Sequence, residues 1–218
     1  MTYNEIRKNE DIKNYITHAD KSLEALGFTE HSFAHVGKVA HTAEYILSTL
    51  GYSEHEIELA KIASYLHDIG NLVNRQEHSQ SGAVMAFRIL LGLDMPSNDV
   101  AAIVTAIGNH DEGTGVAVNA TCAALILGDK TDVRRSRVRN RDISTFDIHD
   151  RVNYSVKESS VIINEEKDVI TLKLEIDTQY GSIMDYFEIF LGRMIMCRNA
   201  AEKLGLRFKL EINGQQLL

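Results

Sequence analysis

The chain has 218 residues, of which 44% are hydrophobic and 25% are charged. These values are ordinary for a soluble globular protein that buries a core, as one large domain or a domain with a small extension. A single proline, no tryptophan and 14 glycines exclude collagen-like and low-complexity sequence and favour long helices. The formal net charge of −8 argues against a general nucleic-acid-binding surface.

The sequence also indicates a compartment. The first twenty residues contain no apolar core of the signal-peptide type, and no run approaches the roughly 18 apolar residues of a membrane span. Cys122 and Cys197 lie in apolar helical surroundings, which is typical of buried free thiols in a reducing compartment. We therefore expect a cytoplasmic protein that makes no contact with membranes.

Apolar residues at helical spacing predict helices over the first two-thirds of the chain. Gly27 and Gly51 are predicted helix ends, and Ser53 is a predicted N-cap. The predicted helices cover residues 3–26, 32–50, 53–70, 78–93, 96–110 and 118–130.

The pattern changes near residue 142. Residues 143–158 are polar and weakly patterned, and no element is predicted there. Alternating apolar residues then predict a hairpin of strands at 161–163 and 170–176, a helix over 182–204 and a final strand at 208–212. We therefore predict a mainly α protein in which a helical bundle is followed by a small α+β subdomain. The predicted domains are residues 1–142 and 143–218.

Several imidazole and carboxylate groups border the apolar helices. His67 and Asp68 are adjacent at a predicted helix end, where a fraying last turn lets both side chains reach one cation. Asp129 follows the apolar run CAALIL and is costly to bury without a cation or donor. The other candidates are His35, His78, His110 and Asp111. Mixed imidazole and carboxylate ligands suit Fe, Mn, Zn or Co better than Ca or Mg.

Taken one at a time, histidines are more typical of structural or surface positions. We interpret four of them as solvated helix residues: His18, His31, His41 and His55. The pair His149-Asp150 repeats the dipeptide in a polar segment without apolar flanks, so we interpret it as structural or surface. Order and spacing distinguish the remaining candidates.

The segments HVGKVAHTAEYI, IASYLHDIGN, EHSQSGAVMAFRIL, IGNHDE and ALILGDKTD resemble, in order and spacing, the HD superfamily of metal-dependent phosphohydrolases. The resemblance covers about residues 31–135 and implies the helical bundle of an HD domain. It implies that one metal is held by His35, His67, Asp68 and Asp129. Members with two metals add histidines that match His78 and His110. The implied cofactor is one or two divalent transition metals, Fe or Mn first, with Zn, Co and Ni as alternatives.

Departures from other members narrow the implied substrate. No Gly-Tyr-Pro follows His67, as it does in members that cleave cyclic dinucleotides, and no acidic residues follow the doublet, as in guanosine tetraphosphate hydrolases. Asn71 stands where many members have lysine. The remaining substrate is a small phosphate ester, a nucleotide or a dinucleoside polyphosphate. Residues 143–218 resemble the extension of uncharacterised bacterial HD proteins, which implies no function.

The expected reaction is attack of a metal-bound hydroxide on phosphorus, with Asp68 bridging two metals. Asp111 is expected to accept a proton or to orient His110. If the helix continues past Asp129, its basic residues lie about one turn apart at the mouth of the site. The expected phosphate contacts are Lys130, Arg134 and Arg137, with Asn71 and Arg75 as alternatives. The other interpretation of the basic cluster is a solvated face paired with acidic residues of this chain.

Two other classes of function stay open. Some HD proteins are di-iron oxygenases, and a non-catalytic metal-binding ligand sensor also fits the ligand set. The expected partner is a small phosphorylated ligand rather than a nucleic acid. A homodimer follows if the helix over 183–204 exposes a second apolar face.

Overall fold

The computed structural model describes residues 1–217, and its first two-thirds are helical. The helices are α1 Tyr3–Lys8, α2 Glu10–Ala25, α3 Phe33–Leu50, α4 Glu54–Leu66, α5 His78–Gly92, α6 Ser97–Gly108 and α7 Ala120–Lys130. Ser53 caps α4 in a reciprocal capping box with Glu56, and Gly51 ends α3 at φ 82°. Both predicted signals are confirmed.

Two predicted helices differ from the structure. The helix predicted over 3–26 divides at Asn9, whose backbone is extended and whose side chain accepts from the Ile12 amide to start α2. The helix predicted to reach Gly70 ends at Leu66 and is followed by a 3-10 turn, Ile69–Leu72. Helix α7 ends at Lys130, as predicted, so the continuation on which the spacing of the basic residues depended does not occur; the next helical segment is a short 3-10 turn, Arg135–Arg137.

The C-terminal part is an α+β unit, as predicted. Its elements are a 3-10 turn Ile143–Thr145, α8 Ile148–Ser155, β1 Val156–Ile163, β2 Val169–Ile176, α9 Ile183–Lys203, β3 Arg207–Ile212 and β4 Gln215–Gln216. Helix α8 lies in the polar stretch where no element was predicted. Asp147 starts it by accepting a hydrogen bond from the Asp150 amide at 2.8 Å.

The sheet has the strand order β1-β2-β3-β4. Strands β1 and β2 form the predicted antiparallel hairpin, with Val161 opposite Leu172. Helix α9 connects β2 to its parallel neighbour β3, in which Leu210 lies beside Leu172. The buried face of β2 carries Ile170, Leu172 and Leu174, which is why these residues alternate with polar ones in the sequence. The fold class predicted from the sequence is confirmed.

One hydrophobic core joins the helical and the α+β parts. Helix α9 packs against α7, and the same buried cluster contains Leu125 and Leu127 of α7 and Met194 and Cys197 of α9. The division at residue 142 stays a prediction, since the core continues across it. This packing brings residues of the C-terminal part to the metal ligands described below.

Helix α9 has 21 residues and two apolar faces. Its inner face is buried, whereas Met184, Leu191 and Ile195 are exposed on the outer face. The predicted homodimer stays a prediction. Neither α9 nor any other helix within residues 1–217 combines the length and hydropathy needed to cross a bilayer.

Candidate metal centre

Four side chains from three helix ends converge on one point. His35 lies in the first turn of α3, His67 and Asp68 follow α4, and Asp129 lies in the last turn of α7. His35 Nε2 is 3.3 Å from Asp129 Oδ1 and 3.6 Å from Asp68 Oδ2. His67 Nε2 is 3.2 Å from Asp68 Oδ2 and 3.7 Å from Asp129 Oδ1. The four residues that the sequence placed around the first metal are therefore neighbours.

A second group of donors lies on the other side of Asp68. His78 begins α5 and His110 follows α6, and their Nε2 atoms are 3.2 Å apart. Asp68 Oδ1 is 3.4 Å from His78 Nε2 and 3.9 Å from His110 Nε2. One oxygen of Asp68 thus faces each group of imidazoles, so Asp68 would contribute a ligand to a cation held at either group.

All four histidines present the same ring nitrogen to the centre. The other ring nitrogen, Nδ1, contacts an oxygen in each case. His35 Nδ1 is 2.8 Å from Asp132 Oδ2. The remaining three contact backbone carbonyl oxygens: His67 that of Ser64 (2.7 Å), His78 that of Arg75 (3.1 Å) and His110 that of Ile107 (2.6 Å). Because carbonyl and ionised carboxylate oxygens only accept, each Nδ1 carries the proton and donates it. Each Nε2 then has a lone pair that a metal can use, although that of His78 lies 3.3 Å from Arg75 Nη1.

The residues fit a divalent cation. Nε2 of His35 and Nε2 of His67 are buried and have no hydrogen-bond partner within residues 1–217. Leaving a buried polar atom unpaired costs about 1–3 kcal/mol, and a cation between these atoms and the two aspartates removes that cost. Imidazole nitrogen with carboxylate oxygen is a donor set for transition metals. The identity of the metal stays a prediction.

The electrostatics favour the metal-binding protonation states of Asp68, Asp129 and His110. Burial by itself lowers the pKa of His67, but the adjacent carboxylates raise that pKa above its ordinary value. Burial by itself raises the pKa of Asp68, but its contacts with histidines, His67 above all, hold that pKa well below its usual range. Burial likewise opposes ionisation of Asp129, and Lys130 and the nearby histidines hold its pKa well below the usual range. Burial and the neighbouring His67 lower the pKa of His110 to about 3. The carboxylates are thus ionised and His110 is neutral.

Asp132 is a neighbour of the candidate metal centre that the sequence analysis missed. It is fully buried behind His35, and its other oxygen lies 2.9 Å from Arg134 Nε and 3.3 Å from Lys38 Nζ. The sequence feature that could have identified Asp132 is its position, three residues after Asp129. Its hydrogen bond fixes the ring of His35.

A cavity of about 350 Å³ opens over both groups of donors. Of the predicted substrate contacts, Arg75, Lys130 and Arg137 line it. Lys130 Nζ is 2.8 Å from Asp129 Oδ2, and Arg75 Nη1 is 3.3 Å from His78 Nε2. Cationic side chains and candidate metal ligands thus line the same cavity.

Two predicted site residues lie beside the centre rather than along the cavity wall. Asn71 is buried, and its Nδ2 donates to Asp68 Oδ1 at 3.0 Å, so it orients the carboxylate that faces both groups. Asp111 is half-buried, with Oδ1 3.9 Å from His78 Nε2. Its proposed proton-accepting role stays a prediction.

The prediction that Arg134 faces the ligand is wrong. Because α7 ends at Lys130, the expected helical spacing does not hold, and Arg134 points away to Glu30 and Asp132. Other members of the basic cluster also pair within the chain, Arg135 with Asp177 and Arg139 with Asp20. These three arginines therefore match the second interpretation, whereas Lys130 and Arg137 are buried and line the cavity.

The cavity wall includes residues to which the sequence analysis gave no site role. His31, expected on a solvated helix, lies in the loop before α3 with its ring centroid 5.4 Å from that of His35. Burial, with the nearby Arg137, lowers its pKa well below the ordinary value. His149 and Asp150 line the cavity from α8, and Arg193 lines it from α9.

Three comparisons show which known proteins this chain resembles. The sequence model of the HD domain matches residues 32–151, a range that contains all six donor residues. The chain is 24% identical over 193 residues to the uncharacterised protein MJ1020 of Methanocaldococcus jannaschii, covering 78% of this chain and 74% of that protein. A solved structure of a predicted HD superfamily hydrolase from an uncultured Thermotogales bacterium is 25% identical, covers 62% of this chain and 75% of that one, and gives a TM-score of 0.46.

Proposed function

Because this chain belongs to the HD domain family of metal-dependent phosphohydrolases, we propose that it hydrolyses a small phosphate ester, a nucleotide or a dinucleoside polyphosphate. The observation that carries the proposal is the position of Asp68. Its two oxygens face two groups of imidazoles at the base of a cavity whose wall carries Arg75, Lys130 and Arg137. Anionic phosphate esters match that wall.

The chain's own groups prepare the site. Divalent cations at the two donor groups would lower the pKa of a water toward neutrality and neutralise phosphoryl charge. Asn71 and the Nδ1 partners hold Asp68 and the imidazole rings in place. Arg75 and Lys130 lie next to the donor atoms, where they bind oxygens of the phosphoryl group. Their hydrogen bonds with those oxygens are charge-assisted and correspondingly strong.

Hydrolysis forms a bond from the water oxygen to phosphorus and breaks the bond from phosphorus to the ester oxygen. The attacking water gives up one proton, and the ester oxygen takes one proton from solvent water as it leaves. Asp111 is the carboxylate near His78 that no metal-ligand group uses, and we assign to it the proton lost by the water. The products are a free hydroxyl compound and phosphate, or two phosphorylated fragments from a phosphoanhydride.

The test is release of phosphate, pyrophosphate and nucleoside from a panel of nucleotides and dinucleoside polyphosphates with Mn²⁺ or Fe²⁺. We expect turnover by the wild type and background activity in Asp68→Ala, because this change removes an oxygen from both donor groups. His55→Ala is the control, since His55 pairs with Asp99 on the surface and its loss leaves activity unchanged.

Turnover that persists in Asp68→Ala would exclude the proposed site. A protein that holds its metal at stoichiometry yet turns over nothing in the panel is not the proposed hydrolase. That result would favour the oxygenase or the non-catalytic sensor, which differ in whether bound iron consumes oxygen.

A further inference from the structure

Arg193 is a cavity residue with no part in the reaction described above. It lies on α9, beyond the residues that match the HD domain, and lines the same cavity as Asp129 and Lys130. Its guanidinium carbon is 4.4 Å from the ring centroid of Phe190, so the side chain is packed against an aromatic face. The C-terminal part of the chain thus delivers a positioned cation to the metal centre.

Arg193 shares its acidic partner with a second cationic side chain. Arg193 Nε is 2.7 Å from Glu112 Oε1, which also lies 3.5 Å from Lys130 Nζ. Glu112 is the one acidic partner of Arg193 within residues 1–217, and two cations share it. The other partner of Lys130 is Asp129, whose oxygens belong to the metal-ligand group. An anion is therefore favoured beside Arg193.

A third cation adds to this charge. Arg137 is buried and lines the cavity. Burial is the main cause that lowers the pKa of Arg137; the carboxylates of Asp132 and Asp129 oppose this effect, and the positive charge of Arg193 adds to it. Like charges that face one cavity repel each other, and a bound anion relieves the repulsion.

Ion pairs link these groups: Asp129 contacts Lys130, Lys130 contacts Glu112, and Glu112 contacts Arg193. Within the described part of the chain, Arg193 lines the cavity without an ion pair to any of the donor groups. A phosphoryl group held at the donors contacts Lys130, and Arg193 is placed for a neighbouring part of the same ligand.

We propose that Arg193 binds a second phosphate of the substrate, next to the phosphoryl group at the metal centre. The site then prefers compounds with two linked phosphates over simple monoesters. The inference rests on the proposed function for the reaction itself, but its binding step can be measured without turnover. A guanidinium suits this task because its planar donors match phosphate oxygens in pairs.

The experiment compares two ligands that cannot be hydrolysed, methylenediphosphonate and methylphosphonate, by calorimetric titration of the Mn²⁺-loaded full chain. We expect the wild type to bind the diphosphonate more tightly. Arg193→Met keeps the packing on Phe190 and should weaken the diphosphonate about ten- to hundredfold, the loss of one strong charge-assisted hydrogen bond. Methylphosphonate binding should not change.

Three further variants test whether the effect belongs to Arg193. Arg198→Met removes the same charge from an exposed position on α9 and should leave both ligands unchanged. Arg193→Lys keeps the charge and should retain part of the preference. Glu112→Gln releases both of its cations and should strengthen diphosphonate binding.

Equal binding of the two ligands by the wild type would overturn the inference. An Arg193→Met protein that weakens both ligands equally, or neither, would do so as well. If the diphosphonate preference depends on Arg193 but no phosphate ester in the panel is hydrolysed, the proposed function fails and the binding role of Arg193 stands. If phosphate esters are hydrolysed but the protein binds the diphosphonate no more tightly than methylphosphonate, only the role of Arg193 is rejected.

Discussion

At the residue scale, a carboxylate outside the cavity controls one of the metal ligands. Asp132 accepts the Nδ1 proton of His35 at 2.8 Å and is fully buried. Burial opposes its ionisation, but the hydrogen bond with His35 and the nearby Arg137 and Arg134 hold its pKa far below the usual range. An ionised acceptor at Nδ1 makes Nε2 a better metal ligand and fixes the ring's direction.

Asp132→Asn tests this role because the amide keeps the shape and loses the charge. We expect Mn²⁺ to bind about 10–100-fold more weakly, the range found for lost partners of ligating histidines. Calorimetric titration of the metal-free protein measures the change. The matched control is Asp11→Asn, which removes the same charge from an exposed position on α2. Unchanged Mn²⁺ affinity in a folded Asp132→Asn protein would show that Asp132 is only a structural partner of Arg134 and Arg137.

At the element scale, one close backbone contact brings the two halves of the ligand set together. The 3-10 turn after Asp68 presses against the first turns of α5 at Gly70. A Cβ added to Gly70 would collide with the carbonyl oxygen of His78 and the amide nitrogen of Gly82. Since neither backbone atom can swing away as a side chain does, the distance between Asp68 and His78 depends on glycine here.

Gly70→Ala should therefore separate the turn from α5 and destabilise the fold by about 1–3 kcal/mol, the usual cost of overpacking. Urea denaturation followed by circular dichroism measures this change. Gly92→Ala is the control, because Gly92 is the last residue of α5 and a Cβ there meets open space. This variant should not lose stability. Equal free energies of unfolding for the two variants would mean that the 3-10 turn accommodates the added Cβ without loss of stability.

Elements set by local signals were predictable, and those set by distant contacts were not. Ser53 and Gly51 act on their own helices, so the sequence alone located these ends. A resemblance in spacing identified the six donor residues as a set, and the structure places them close together; that they bind metals stays a prediction. The direction of Arg134 depends instead on Glu30, more than a hundred residues earlier. The position of Arg193 in the cavity wall likewise depends on the packing of α9 against α7, which cannot be predicted from the local sequence.

At the scale of the whole molecule, two cysteines report on whether the helical and α+β parts unfold together. Cys122 lies on α7 and Cys197 on α9, and both are fully buried. Burial raises the pKa of Cys122 to about 11 and that of Cys197 to about 12. Because the thiolate is the reactive form, both cysteines should be inert in the folded protein near neutral pH.

We expect both cysteines to become reactive at the same urea concentration, because one core contains the two helices and small cores unfold cooperatively. Brief alkylation across a urea series, followed by mass spectrometry of the two cysteine-containing peptides, gives a midpoint for each site. Labelling at high urea supplies the fully reacted reference. A lower midpoint for Cys197 would show that the C-terminal part opens by itself. In that case α9 would carry Arg193 away from the metal centre while the donor groups stay in place.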